Sequence, residues 1–252
     1  MKRFQKDLLT VEIHGSRSLM GKAAAKDIKA CILALLEKKR GINMIFAAAP
    51  SQNEVLEALV SDKEIPWEKI NAFHMDEYIG LKKNAPQRFG NFLNEHIFSR
   101  APFGSVNLID AAASDPEAEA LRYAGLLKEN PADIVVMGIG ENGHIAFNDP
   151  PVADFHDKKT VKAVQLDGIC RRQQVNDGCF ASLSEVPTHA LTLTVPALVS
   201  APHLFCIVPA SSKAGAVRET LNGAVDEHCP ASILRTRPGA KLYLDPESAA
   251  LL

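Results

Sequence analysis

The sequence predicts an α/β protein, a three-layer sandwich with a mostly parallel central sheet and helices on both faces. Three observations carry this prediction. The apolar runs INMIFAAA, ADIVVMG and HLFCIV lack polar alternation, as strands covered on both faces do. Between such runs lie segments whose apolar residues recur at three and four positions, with capping residues at their starts. The two kinds of segment alternate along the chain, the order that β-α-β crossovers generate.

Taken in order, Leu19, Ala24, Ile28, Cys31, Ile32, Leu35 and Leu36 form one helical stripe between Ser16 and Arg40, with Ser16 or Ser18 as cap and Gly41 as stop. INMIFAAA follows as a strand, and Pro50-Ser51 opens the helix QNEVLEALV. KINAFHMD is the next strand; after a loop to about Arg88, FGNFLNEHIF is helical. VNLI is a short strand, Asp115-Pro116 starts a helix through Lys128, and ADIVVMG is again a buried strand. HALTLTV, HLFCIV and KLYLD read as further strands, with the helix SSKAGAVRETLNG between the last two. Between Pro150 and Pro187 the pattern weakens into a polar, Pro- and Gly-containing stretch, expected to be a loop-rich lid spanning approximately residues 150–187. A chain of 252 residues can bury a sizeable core, so residues 1–252 are expected to form one domain.

Composition narrows the function classes. With 28 basic against 30 acidic residues and no like-charge run longer than Lys38-Lys39-Arg40, no nucleic-acid partner is expected. No segment approaches a membrane span, and the N-terminal stretch lacks the apolar centre of a signal peptide, which points to the cytoplasm and to no membrane partner. The five cysteines form no CxxC pair or Cys/His cluster, so neither zinc nor a disulfide framework is expected and buried free thiols are the simplest reading.

In open parallel sheets ligands bind beyond the carboxyl ends of strands. Four polar segments stand there: residues 47–53, 74–78, 138–149 and 209–213. The third, GIGENGHIAFNDP, contains GxGxxG, the turn of a dinucleotide site. That motif needs a following helix, whereas Pro150-Pro151 leaves room for little more than one helical turn. What remains is a glycine-rich turn that carries His144 and, five residues on, Asp149. An imidazole exchanges protons near neutrality, and a carboxylate on its second nitrogen fixes the tautomer and raises basicity, a pairing suited to opening a sugar hemiacetal. In HMDEYIGL, Asp76 and Glu77 are neighbours on a strand, so only one can face a given pocket unless the chain has turned.

With these motifs in view, the chain from about Ile42 onward resembles the glucosamine-6-phosphate deaminase (isomerase) family. NAFHMDEYIGL is similar to the family's strand ending in MDEY(V/I)GL, and GIGENGHIAFNDP to its GxGxDGHIAFNEP; VPTHALTLTVPAL and PASSKAGAVRETLNG add support. The related 6-phosphogluconolactonases share the fold, but their loop reads GHxASLFP. The resemblance implies a modified Rossmann-like fold, no metal or organic cofactor in catalysis, and conversion of a 2-amino-2-deoxy aldose phosphate, such as glucosamine 6-phosphate, into a ketose phosphate and ammonia. It implies Asp76 as the base at substrate C2, His144 as the ring-opening group, and Asp149 and Asn142 as the residues that hold that histidine. Ser51 and Lys213 would bind the phosphate, Lys213 at a helix start, while Glu77 and Arg172 would complete substrate binding.

Three departures are visible. Asn142 stands where the family has Asp, the turn AAAPSQN replaces glycine-rich PTGGTP, and the lid arginine falls near Gln174, with Arg171 and Arg172 just before it. A divergent sugar isomerase, a sugar-phosphate sensor that has lost catalysis, and a lactonase-like hydrolase are the alternatives on the same fold. The expected partner is thus a small sugar phosphate, and enzymes of this kind are often symmetric homo-oligomers.

Overall fold

The computed structural model describes residues 1–252. In chain order the elements are β1 (Lys2–Lys6), β2 (Leu9–Ile13), α1 (Arg17–Leu36), β3 (Ile42–Phe46), α2 (Asn53–Ser61), β4 (Ile70–His74), β5 (Asp76–Tyr78), α3 (Phe89–Leu93), β6 (Ser105–Asn107), α4 (Pro116–Glu129), β7 (Ile134–Met137), β8 (Val161–Gln165), α5 (Gly168–Asn176), β9 (His189–Leu193), α6 (Val195–Val199), β10 (His203–Val208), α7 (Ala214–Asn222) and β11 (Ala240–Leu244). The central sheet has eight strands in the order β1-β2-β11-β10-β7-β3-β4-β6. Every neighbouring pair from β2 onward is parallel, and only the β1–β2 hairpin is antiparallel.

Period-two alternation divides the core into two layers. On β7, Ile134 and Val136 pack into one with Met20, Ile28 and Ile32 of α1 and with Val55 and Leu59 of α2. Val135 and Met137 point the other way, toward Tyr123 and Leu127 of α4 and Val217 and Leu221 of α7. Strands covered on both faces must be apolar throughout, and this is why the parallel strands were legible as continuous runs. No helix is long and apolar enough to cross a membrane.

Two predicted caps form, while α7, also expected to be capped, has no side-chain cap. Ser16 accepts from the Leu19 amide at the start of α1, and Asp115 accepts from the Glu117 and Ala118 amides at the start of α4. Four differences are physical rather than marginal. The helix expected from Ser16 to Arg40 ends at Leu36, beyond which only polar residues remain to be buried. The helix predicted from Phe89 becomes a short α3 followed by a π-turn, Asn94–Phe98. The N-terminal hairpin β1–β2 has no counterpart in the prediction, because β1 is an edge strand with charged and polar residues and little cover. HALTLTV, expected in the parallel sheet, instead joins a separate three-stranded antiparallel sheet in the order β5-β9-β8. The lid segment is correspondingly less loop-rich than expected, since it contributes strand β8 and helix α5.

α1 and α2 cross closely at Gly21, where a Cβ would lie 2.5 Å from Glu54 Cβ and 2.9 Å from Glu54 backbone carbon. Gly125, inside α4, has open space around it. Gly21→Ala is therefore expected to destabilise the protein by about 1–3 kcal/mol through overpacking, whereas Gly125→Ala should stabilise it by about 0.5–1 kcal/mol through helix propensity. Denaturant midpoints of the two variants, measured at unchanged slope, check both signs.

Candidate active site

All four predicted strand-end segments meet at one cavity of about 460 Å³, which Ala47, Asp76, His144, Pro209 and Lys213 help to line. The segments follow β3, β4, β7 and β10, adjacent strands of the parallel sheet, so their carboxyl ends open on the same side.

The glycines of GIGENG serve the histidine. A Cβ on Gly140 would fall 2.1 Å from His144 Cε1, so only glycine leaves room for the imidazole. Gly143 has φ +82°, and a Cβ there would lie 2.6 Å from Cys229 Sγ. Gly140 N–H donates to the His144 carbonyl at 2.9 Å, closing the turn. Instead of a helix, a tight reversal follows: Ala146 takes φ +49°, the Phe147 amide donates to Thr192 Oγ1 at 3.1 Å, and Asn148 Nδ2 donates to the Ile145 and Leu193 carbonyls.

His144 is buried except toward the cavity, and its Nδ1 lies 2.7 Å from Asn142 Oδ1 and 2.9 Å from Asp149 Oδ1. The amide of Asn142 has one self-consistent orientation: its oxygen accepts from the His144 backbone amide at 3.1 Å, and its nitrogen donates to Asp149 Oδ1 at 2.9 Å. With two acceptors at Nδ1, the network assigns the ring proton there and leaves the lone pair on Nε2. Burial raises the Asp149 carboxyl, but hydrogen bonds from His144 and Asn142 outweigh it, and the group rests below its usual value. The shorter aspartate therefore reaches the ring and supplies the charge that an amide at position 142 lacks.

Asp76 begins β5 and lines the same cavity. No hydrogen bond reaches its carboxylate; burial first, and the Glu77 charge second, push its pKa well above the usual carboxylate range. Lys213, also buried, stands just before α7 on the cavity wall. Burial lowers its pKa, and the carboxylates of Asp177 and Glu141 oppose the shift. Ser51 lines the wall beside it. Ala210, in the loop between β10 and α7, holds φ +81°, a strained value for alanine, with its amide directed at the buried Asp245 carboxylate.

Two expected contacts are not met by the geometry. Glu77 is fully buried away from the cavity; its Oε1 accepts from the Tyr78 and Phe89 amides, its Oε2 from Gly90, and Arg88 stands 3.6 Å away. It anchors the start of α3, because alternation on β5 turns it away from Asp76. Arg172 is exposed on α5 and does not line the cavity, while Gln173, Gln174 and Asp177 do. Neighbouring Arg171 braces the lid through the Leu183 and Val186 carbonyls. Arg17 is a cavity residue that the sequence reading missed: it pairs with Glu54 at 2.7 Å and donates to the Pro50 carbonyl beside Ser51. No motif marks it, since it lies at the start of a helix far away in sequence.

Gly140→Ala is expected to leave the sheet intact but to displace the His144 ring. A changed imidazole Cε1–H resonance in NMR with an unchanged far-UV spectrum checks this; an unmoved resonance contradicts the role given to Gly140.

The sequence profile described as glucosamine-6-phosphate isomerases/6-phosphogluconolactonase matches residues 15–243. A glucosamine-6-phosphate deaminase of Listeria monocytogenes is 36% identical over 211 residues, covering 84% of this chain and 88% of the relative. That of Streptococcus sanguinis is 33% identical over 222 residues, covering 87% and 92%. Among solved structures, a monomeric glucosamine-6-phosphate deaminase superposes with a TM-score of 0.86 at 27% identity, over 96% of this chain and 99% of that one. The 6-phosphogluconolactonase of Thermotoga maritima shares the fold, with a TM-score of 0.76 at 20% identity over 94% and 99% of the two chains.

Proposed function

The chain belongs to the glucosamine-6-phosphate isomerase/6-phosphogluconolactonase family, and within it we propose that the protein is a cytoplasmic aldose-ketose isomerase and deaminase acting on glucosamine 6-phosphate or a closely related amino-sugar phosphate. The observation that carries this reading is one cavity lined by an unpartnered carboxylate, Asp76, and by a histidine that Asp149 holds in one tautomer. An aldose-to-ketose proton transfer needs those two groups, and the whole chain serves as one catalytic unit.

His144 Nε2 accepts the proton of the C1 hydroxyl and returns one to the ring oxygen, opening the pyranose. Asp149 stabilises the imidazolium that forms in between. Asp76 then takes the C2 proton of the aldehyde; the resulting enolamine is protonated at C1, leaving an imine at C2. Water adds to the imine and ammonia leaves, so C2 ends as the ketone. A carboxylate whose pKa is raised by burial is a stronger base for a carbon acid, at the expense of ionising later. The 47–51 turn offers fewer backbone donors than a glycine-rich one, since Pro50 has no N–H. Ser51, Lys213 and Arg17 bring a hydroxyl and two cations to that end of the cavity, and together they are proposed to hold the phosphate.

The departure of that turn favours one second reading, a different or unphosphorylated sugar. Ammonia release by the purified protein from a panel of amino sugars, each with and without the 6-phosphate, tests both. Background rates across the panel would overturn the deaminase reading, and selective turnover of unphosphorylated sugars would favour the second.

Asp76→Asn should lower turnover by about 10²–10⁴ while substrate still binds. The acid limb of kcat/KM in the unsubstituted enzyme should lie above the usual carboxylate range, because Asp76 must first lose its proton. The same shift has a sign for stability. A carboxyl with a raised folded-state pKa loses its proton more readily when unfolded, so stability falls as pH rises from the unfolded value toward the folded one, and the loss persists above it. Asp76→Asn removes that penalty and is expected to raise Tm at neutral pH; a lower Tm would contradict the burial argument.

A further inference from the structure

His144, Asp149 and Cys170 form a buried cluster in which a ring nitrogen, a carboxylate oxygen and the thiol sulfur all lie within 4.8 Å of one another. Cys170 reaches it from helix α5 of the lid, 26 positions beyond His144 in the numbering, so tertiary packing alone creates the group. Two further features point to a ligand. Asp149 Oδ2 is buried and receives neither His144 nor Asn142, whose contacts go to Oδ1; the Cys170 thiol is the donor that approaches this carboxylate. Asn142 Oδ1 stands 2.7 Å from the same imidazole nitrogen, offering a fourth donor.

We propose that His144, Asp149 and Cys170 form an inhibitory site for a thiophilic divalent cation of the Zn²⁺ class, which replaces the Nδ1 proton and ties up the ring-opening histidine. Imidazole nitrogen, carboxylate oxygen and thiolate sulfur are the three donor types that Zn²⁺ prefers, whereas Mg²⁺ and Ca²⁺ require shells of oxygen. Metal–ligand distances of about 2.0–2.3 Å correspond to ligand separations of about 3.2–3.8 Å around a tetrahedral ion. Closing on an ion therefore shortens the widest of these separations by about 1 Å and lengthens the 2.9 Å contact between His144 and Asp149 to about 3.2 Å.

Charge also balances. The ion takes the Nδ1 lone pair, the ring proton moves to Nε2, and the Cys170 thiol alone releases its proton, so two positive charges meet one carboxylate and one thiolate and leave a neutral buried group. Of the three ligands His144 alone lines the cavity, beside Gln173 and Gln174 of α5. With Nδ1 metallated, Nε2 carries the ring proton and has no lone pair with which to accept one from the substrate.

The binding half of this proposal stands on the cluster alone, and the inhibitory half rests on the role proposed for His144. The test uses the full, tag-free chain with Co²⁺ as spectroscopic probe and Zn²⁺ as inhibitor. One Co²⁺ per chain should bind with a near-ultraviolet thiolate charge-transfer band that Cys170→Ser abolishes, and Zn²⁺ should halt ammonia release in step with occupancy, reversed by a chelator. Cys170→Ser should weaken Zn²⁺ binding on the order of 100-fold, since it substitutes a hard hydroxyl for the thiolate. Cys170→Ala, checked for folding by thermal melting, should behave alike. No band at stoichiometric Co²⁺, a band that survives in both variants, or full occupancy with undiminished turnover would each overturn the proposal. Should the metal-free protein release no ammonia from any sugar, the functional reading fails while the Co²⁺ band still decides the site.

Discussion

The geometry of the cavity depends on strand β9. Thr192 pairs in register with Asp76, its hydroxyl accepts the Phe147 amide, and the next residue joins both sides: Leu193 N–H donates to the Met75 carbonyl at 2.8 Å while its carbonyl accepts from Asn148. One short antiparallel strand thus holds the turn that carries His144 and the strand that carries Asp76. These hydrogen bonds are buried, where leaving a donor unpaired costs about 1–3 kcal/mol. The separation of Asp76 and His144 is consequently tied to sheet register as well as to the glycine turn.

Around that frame, environment gives two aspartates opposite characters. Asp149 is surrounded by donors and stays ionised, which holds the imidazole tautomer. Asp76 has no donor and a like charge next door, so it retains its proton unusually far up the pH scale. Carboxylates driven apart in this way can act as charge stabiliser and as general base within one cavity. Glu77 contributes from behind: burial raises its own carboxyl, three amide contacts and Arg88 partly offset that rise, and its charge adds to the upward push on Asp76.

The glycine loop shows how a motif can be read correctly for the wrong ligand or correctly for the right one. GxGxxG specifies close backbone approach and positive φ, and both occur here at Gly140 and Gly143. What approaches is the protein's own imidazole. The local sign separating this use from pyrophosphate binding is Pro150-Pro151, which forbids the helix whose N-terminus a pyrophosphate requires.

Residue order by itself determined the layered architecture, the strand-end segments that meet at the cavity, and the His144–Asp149 pair, since each rests on local periodicity, caps or spacing within a single turn. Tertiary structure decided the rest. That HALTL pairs with β5 and β8, that Glu77 faces inward, that Arg172 points to solvent while Gln174 faces the cavity, and that Arg17 and Cys170 reach the site all depend on contacts between distant segments. A strand's face and a helix's rotation follow from which partner offers buried area and matching hydrogen bonds, and that partner is chosen by the whole fold.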